Sequence, residues 1–348
     1  MERIEILSGW LEGQSLQSAE YDFLLQDAQA NSPQAEALDY DLSLVGIEKR
    51  AEEFMAIAPE IMELCGEMKF TDHKLILNTL WIFWLPLAQQ IRYARQQQDQ
   101  PLIQGVLGAQ GTGKTTLSSV IQTILRRWNY PCAAISIDDL YKTYAERQAL
   151  LETQPHLIWR GPPGTHDIKT GIEVLTQLQR ANIDDKIAIP RFDKPLYQGQ
   201  GDRVAPEKIE PVEIILFEGW FVGCRPVASE TFEKPPSPIN TDEDKKFARD
   251  MNRALGEYLL LWDKLDRLMV LYPGDYRLSK KWRKDAEHKM IATGKTGMSD
   301  GEIDDFVDYF WRSLHPELFI APLTKNRGLT DLVVEIDVNH QPCKIYRP

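Results

Sequence analysis

The run Gly108-Ala109-Gln110-Gly111-Thr112-Gly113-Lys114-Thr115 constrains this 348-residue chain more than any other feature. It fits G-x-x-x-x-G-K-[ST] at every fixed position. From average Gly and Lys usage, a chain of this length matches by chance on the order of once in a hundred. The flanks agree with the match. LIQGVLG, from Leu102, is an apolar run of strand length, and Lys114 to Arg127 sets Leu117, Val120, Ile121, Ile124 and Leu125 on one helical face. A strand, a glycine-rich turn and a helix in that order aim backbone N–H groups and a helix N-terminus at one point, which suits a phosphate. Residues Gly108 to Thr116 would then cradle a nucleotide. Lys114 would reach its β- and γ-phosphates, and the Thr115 hydroxyl would bind Mg²⁺. A ligand-free strand–helix turn is the competing reading, and it gives no reason for the lysine or the hydroxyl.

Around this unit strands and helices alternate. CAAISI, KIAI, VEIILF, RLMVLY and LVVEIDV read as strands, with CKIY as an edge partner; helices fall near 167–182, 247–261, 276–292 and 299–313. The pattern predicts an α/β fold: a mainly parallel sheet with helices on both faces. The Pro-rich segment 229–246 reads as a loop. Residues 1–98 read as a helical N-terminal region. Ile47, Ala51, Phe54, Met55, Ala58, Ile61, Met62 and Cys65 share one face, and Trp81 and Trp84 read as core aromatics. The polar QQQDQP at 96–101 joins this region to the α/β domain, 99–348.

Charge and cysteines narrow the partners. Forty Lys and Arg against 52 Asp and Glu give a net charge of −12, the opposite of what a nucleic-acid or anionic-membrane binder shows. An anionic ligand must therefore be held by a local site. Cys65, Cys132, Cys224 and Cys343 lack metal-site spacing and read as reduced thiols. The N-terminus lacks a secretory pattern, and the apolar run Leu75–Ala88 is short of the ~20 residues that span a bilayer. The expectation is a soluble, cytoplasmic protein with no nucleic-acid or membrane partner; homo-oligomerisation is left open.

Two predicted strands end in acids, where open α/β sheets carry their functional groups. Glu218, after IILF, suits a Mg²⁺ ligand. Asp138, after AISI, suits a base for an acceptor hydroxyl or a second metal contact, and the neighbouring Asp139 reads as a helix N-cap. Between them lie WRGPPGTHDIK and IPRFDKPLYQGQGDRVAP, with Arg160, His166, Asp167, Arg191, Asp193 and Lys194 as candidate acceptor-binding residues. Asp167 also reads as a helix N-cap and His166 as a loop histidine. A guanidinium grips a carboxylate through two hydrogen bonds, so this local cationic excess points to an anionic acceptor. A later basic helix carries Arg277 and Arg283, suited to a lid that excludes water and places cations on a transferring phosphoryl group, or to a solvated amphipathic face.

Taken together, GAQGTGKTT, SIDDLY, RGPPGTHD, RFDKPLYQGQGDR, FEGW and YRLSKKWR resemble the plant- and cyanobacterial-type D-glycerate 3-kinase family. That family belongs with phosphoribulokinase, uridine kinase and pantothenate kinase in a wider P-loop kinase group. The resemblance covers about residues 101 to 337. It implies a P-loop kinase domain over 99–348, with acceptor-binding insertions at 152–206 and a lid at 275–298. It also implies ATP- and Mg²⁺-dependent phosphorylation of D-glycerate to 3-phosphoglycerate, as in photorespiratory salvage. By motif, Lys114 and Thr115 correspond to the nucleotide and metal residues, Asp138 to the catalytic aspartate, Glu218 to the Walker B acid, and Arg277 and Arg283 to lid arginines. Pro195 and Leu140 depart from the family pattern. Two rival readings are a kinase of pantothenate, a nucleoside or a sugar phosphate, and a non-kinase P-loop NTPase. Against the latter, N-K-x-D is missing, the nearest string being Asp263-Lys264-Leu265-Asp266, and so is an L-S-G-G-Q signature.

Overall fold

Strands β1 (Leu102–Gly108), β2 (Cys132–Ser136), β3 (Ile187–Asp193), β4 (Asp202–Ile209), β5 (Ile214–Gly219), β6 (Arg267–Pro273), β7 (Leu332–Ile336) and β8 (Pro342–Tyr346) form two sheets. This computed structural model describes residues 2–14, 17–292, 294 and 297–348. The main sheet has the order β2-β5-β1-β6-β7-β8, parallel throughout except for β8, which runs antiparallel on β7. Every residue of β1 and β5 is buried, as central strands covered on both faces require.

The helices are α1 (Arg3–Leu11), α2 (Ser18–Ala30), α3 (Ser32–Ala37), α4 (Leu44–Glu67), α5 (His73–Thr79), α6 (Leu85–Gln96), α7 (Lys114–Arg127), α8 (Tyr144–Thr153), α9 (Ile168–Arg180), α10 (Asp242–Leu255), α11 (Leu259–Trp262), α12 (Leu278–Ile291), α13 (Asp300–Ser313) and α14 (Pro316–Phe319). The period-two alternation of the strands decides what each face meets. Leu102, Val106, Leu216 and Met269 pack with α7 and the N-terminal helices; Ile103, Leu107, Phe217 and Val270 pack with α9, α10 and α11. The first hundred residues thus share one core with the phosphate-loop helix. Ile47, Ala51, Phe54, Ala58, Ile61 and Cys65 of α4 are buried in it, while Met55 and Met62 lie at its edge. Trp81 is core, its ring 5.6 Å from Phe54 and 6.0 Å from Trp10. Polar ties close the same face: Thr79 Oγ1 donates to Gln341 Oε1 at 2.9 Å, and Arg347 pairs with Asp39 at 2.5 Å. Among the described residues, no helix is long and apolar enough to cross a membrane.

Two local readings are corrected and a third is refined. KIAI is not in the main sheet; β3 pairs antiparallel with β4, a strand the sequence pattern does not signal because none of its residues is buried and Pro206 interrupts it. The 229–246 segment is not all loop, since α10 starts at Asp242. Thr241 caps it, Oγ1 accepting from Asp244 N–H at 3.1 Å while Asp244 accepts from Thr241 N–H at 2.9 Å. The apolar run Leu75–Ala88 is helical, as the reading of residues 1–98 has it, but not α-helical throughout: a π-helical turn at Leu80–Trp84 separates α5 from α6.

Candidate active site

The phosphate loop leaves the carboxyl end of β1 and enters α7 through Gly113. Gly111 and Gly113 hold φ of 79° and 83°, left-handed values that favour glycine. A Cβ on Gly111 would also lie 2.7 Å from the Trp282 side chain. Thr112 Oγ1 donates to Ala109 O at 2.8 Å and fixes the curl. The Lys114 ammonium lies over the loop, donating to Gly108 O at 2.7 Å and Ala109 O at 3.1 Å. Burial pushes the Lys114 pKa down against the pull of Glu218 and Asp138.

Glu218 stands near the end of β5, in register with Val106 of β1 and Ser136 of β2. It is buried. Thr115 Oγ1 donates to its Oε1 at 3.4 Å, and among the described residues Oε2 has no hydrogen-bond partner. Burial raises its pKa, opposed chiefly by Lys114. A buried carboxylate oxygen without a donor, beside a hydroxyl and facing a phosphate cradle, fits a hard divalent cation such as Mg²⁺.

Asp138 lies on the 3-10 turn Ile137–Leu140 that follows β2. Ser136 caps this turn, and Asp139 reaches back to accept from Ser136 N–H at 3.1 Å; Asp139 is thus the third residue of a capping box, not the N-cap. Asp138 Oδ1 accepts from the Tyr141 hydroxyl at 2.8 Å and Oδ2 from Lys194 Nζ at 2.6 Å. Burial pushes the Asp138 pKa up, but the ammonium of Lys194 and these two hydrogen bonds bring it below the usual carboxylate range.

Behind this carboxylate the Tyr141 ring stacks on His166, centroids 4.6 Å apart. His166 is fully buried, its Nδ1 2.8 Å from the Tyr258 hydroxyl, and burial pushes its pKa down to about 3. It is therefore a neutral ring supporting Tyr141. Arg191 bonds to Asp139 at 2.8 Å and Glu207 at 2.7 Å, so it braces the β3–β4 hairpin against β2. Asp167 caps α9 by accepting from Thr170 N–H at 3.0 Å, and pairs with Arg203 at 3.0 Å. Asp193 sits opposite Asp202 in the hairpin register.

Arg160 donates to Gly199 O at 2.6 Å and lies 5.5 Å from the Phe192 ring centroid. With Arg147, Trp159 and the hairpin tip it lines a cavity of about 330 Å³. Arg147 holds that tip by donating to Gln200 O and Gly201 O at 2.7 and 2.6 Å. The RGPPG glycines have a local reason: Gly161 takes φ 129°, a Cβ there would lie 2.3 Å from Phe310, and Trp220 Nε1 donates to Gly161 O at 3.1 Å.

The structure thus brings Lys114, Thr115, Asp138, Lys194 and Glu218 together. Arg277 and Arg283 are engaged elsewhere, with Asp275 at 3.2 Å and Glu287 at 2.9 Å; their helix touches the loop through Trp282. Thr293, Lys295 and Thr296 of the expected lid lie outside the described residues. Tyr141, Arg147 and Tyr258 were missed as site residues. Tyr141 alone had a local signal, three residues after Asp138 in the same turn. On the other side of the loop, a cavity of about 440 Å³ is lined by Gly111–Gly113, Thr116, Phe83, Trp84 and His340.

A parallel sheet with this loop after β1 and acids on the two strands beyond it has the architecture of the P-loop kinases. No protein-family model matches the chain. The chloroplastic D-glycerate 3-kinase of Arabidopsis thaliana is 31% identical over 254 residues, which cover 70% of this chain and 54% of that relative, so the chain spans about half its length. The uncharacterized kinase mug58 of Schizosaccharomyces pombe is 32% identical over 221 residues, covering 61% of this chain and 79% of that one. A D-glycerate 3-kinase from Cryptococcus neoformans shares the fold, with a TM-score of 0.68 at 24% identity, covering 76% of this chain and 99% of its own. The chain belongs to the family of P-loop kinases that includes mug58, and it is similar to the D-glycerate 3-kinases over the matched residues.

Proposed function

We propose that this protein transfers the γ-phosphoryl group of ATP to the 3-hydroxyl of D-glycerate. The observation that carries the reading is the meeting of two half-sites at the carboxyl edge of the sheet. Lys114, Thr115 and Glu218 form a phosphate and metal half; Asp138 and Lys194 form an acceptor half beside the cavity that holds Arg160. The loop amides and Lys114 would hold the β- and γ-phosphates, and the 440 Å³ cavity, one wall of which comes from the N-terminal helices, would take the nucleoside end. Thr115 and Glu218, with Asp138 directly or through water, would hold Mg²⁺, which when bound neutralises charge on the β- and γ-oxygens.

Asp138, with its depressed pKa, is ionised at neutral pH. It accepts the proton of the acceptor hydroxyl as that oxygen bonds to the γ-phosphorus and the bond to ADP breaks. Lys194, more than half exposed, is free to leave Asp138 for the acceptor carboxylate. Tyr141, fixed by His166, keeps Asp138 in place during that exchange.

The test is transfer from ATP to D-glycerate, with the product position assigned by NMR and pantothenate, nucleosides and sugar phosphates run in parallel. A preference for one of the other acceptors overturns the substrate; ATP turnover indifferent to all of them overturns the reaction class. Asp138→Asn should lower kcat by about 10²–10⁴-fold with the KM for ATP nearly unchanged. An unaltered kcat removes Asp138 as the base.

A further inference from the structure

The amino ends of β6 and β7 lie at the far edge of the sheet, opposite the phosphate loop. Between them is a second polar cavity of about 220 Å³, lined by Arg225, Arg267, Arg327 and Thr330 among others. Seven-residue β6 separates the two edges by about 20 Å, at roughly 3.3 Å per residue, so this cavity is not part of the active site.

Its charges are unevenly satisfied. The two acids in the lining are turned to backbone donors: Asp266 accepts from Ile103 N–H at 2.7 Å and Asp331 from Leu268 N–H at 2.8 Å. The arginines are not so occupied. Among the described residues Arg225 has one long ion pair, 3.7 Å to Asp263, and its buried Nε has no hydrogen-bond partner. Thr330 is 2% exposed, and its Oγ1 likewise has no partner among the described residues. Leaving a buried polar group unsatisfied is costly and rare in folded proteins, so two such groups at one cavity call for a missing ligand. Three guanidiniums and a hydroxyl are donors, and what they lack is an acceptor.

We infer that this cavity is a binding site for a compact phosphate-bearing anion: the guanidiniums of Arg225, Arg267 and Arg327 and the Thr330 hydroxyl converge on it as donors. Three guanidiniums suit a dianion, which each can meet with paired N–H groups. The cavity is smaller than the ~300 Å³ at which pockets for drug-sized ligands begin, so a phosphomonoester of a few carbons fits and a nucleotide does not. The site is independent of the proposed reaction.

The phosphate loop also binds phosphate, so the experiment uses full-length Lys114→Met protein. Inorganic phosphate and glycerol phosphate are each titrated against KCl of equal ionic strength, and Tm is followed. A ligand that binds only the folded form stabilises it by mass action, and at about ten times Kd the rise in Tm is about 2 °C for a chain of 348 residues. Arg267→Met/Arg327→Met should abolish the rise. Arg327 is exposed and Arg267 half-buried, so the Tm in KCl alone, together with that of the single Arg327→Met variant, checks that the fold is kept. Thr330→Val should weaken binding about tenfold. A rise in Tm no larger than that in KCl overturns the site, and so does an equal rise in the double variant.

Discussion

His166 gives a measurable link between pH and the integrity of the site. An exposed histidine titrates near 6.5, whereas this ring, buried between Tyr141 and Tyr258, stays neutral down to about pH 3. Between those values the unfolded chain binds a proton that the folded chain refuses, so stability falls as pH falls below 6.5 and is fully present above it. At pH 5 the unfolded form gains about 1.5 pH units of protonation free energy, which is ~2 kcal/mol. Other groups add their own pH dependence, and His166→Asn subtracts it, because Asn retains a polar group near Nδ1 but does not titrate. Urea unfolding followed by tryptophan fluorescence at pH 7.5 and pH 5 should show the parent losing ~2 kcal/mol more than the variant between the two conditions. The variant itself should be weaker at both, through the lost stack on Tyr141. Equal losses in the two proteins would refute a buried neutral imidazole.

Other outcomes follow from the same geometry. Gly111→Ala places a Cβ 2.7 Å from Trp282 at a φ of 79°, so the loop must shift; the KM for ATP should rise about tenfold, for ~1–2 kcal/mol of strain, and an unchanged KM would show that the loop yields freely. Lys194→Met removes the ammonium that lowers the Asp138 pKa, so the acid limb of the kcat/KM profile should move to higher pH and the KM for D-glycerate should rise. Because Lys194 is more than half exposed, fold stability should change by less than ~1 kcal/mol. An acid limb that stays in place would detach Lys194 from the base.

The parts of this molecule legible in its residues are those fixed by local rules. The phosphate loop is legible because left-handed glycines and a lysine must stand at set spacings. β1 and β5 are legible because strands buried on both faces are continuously apolar. Glu218 and Asp138 follow from strand ends alone. The remainder depends on partners distant in sequence. Arg191 reads as an acceptor ligand until Asp139, 52 residues away, is seen to occupy it. Arg283 reads as a lid cation, yet it is paired with Glu287. β4 leaves only a weak apolar trace because none of its residues is buried, and Arg147 carries no motif at all.

The small β3–β4 sheet forms no ladder with the main one. Lys194 follows β3 in this ribbon, and Arg160, from the loop before α9, meets its tip at Gly199 O, so both stand on chain segments other than the strands that present Lys114 and Glu218. Under the proposed reaction, that division would let changes in the ribbon alter the acceptor while the loop that grips the donor keeps its sequence.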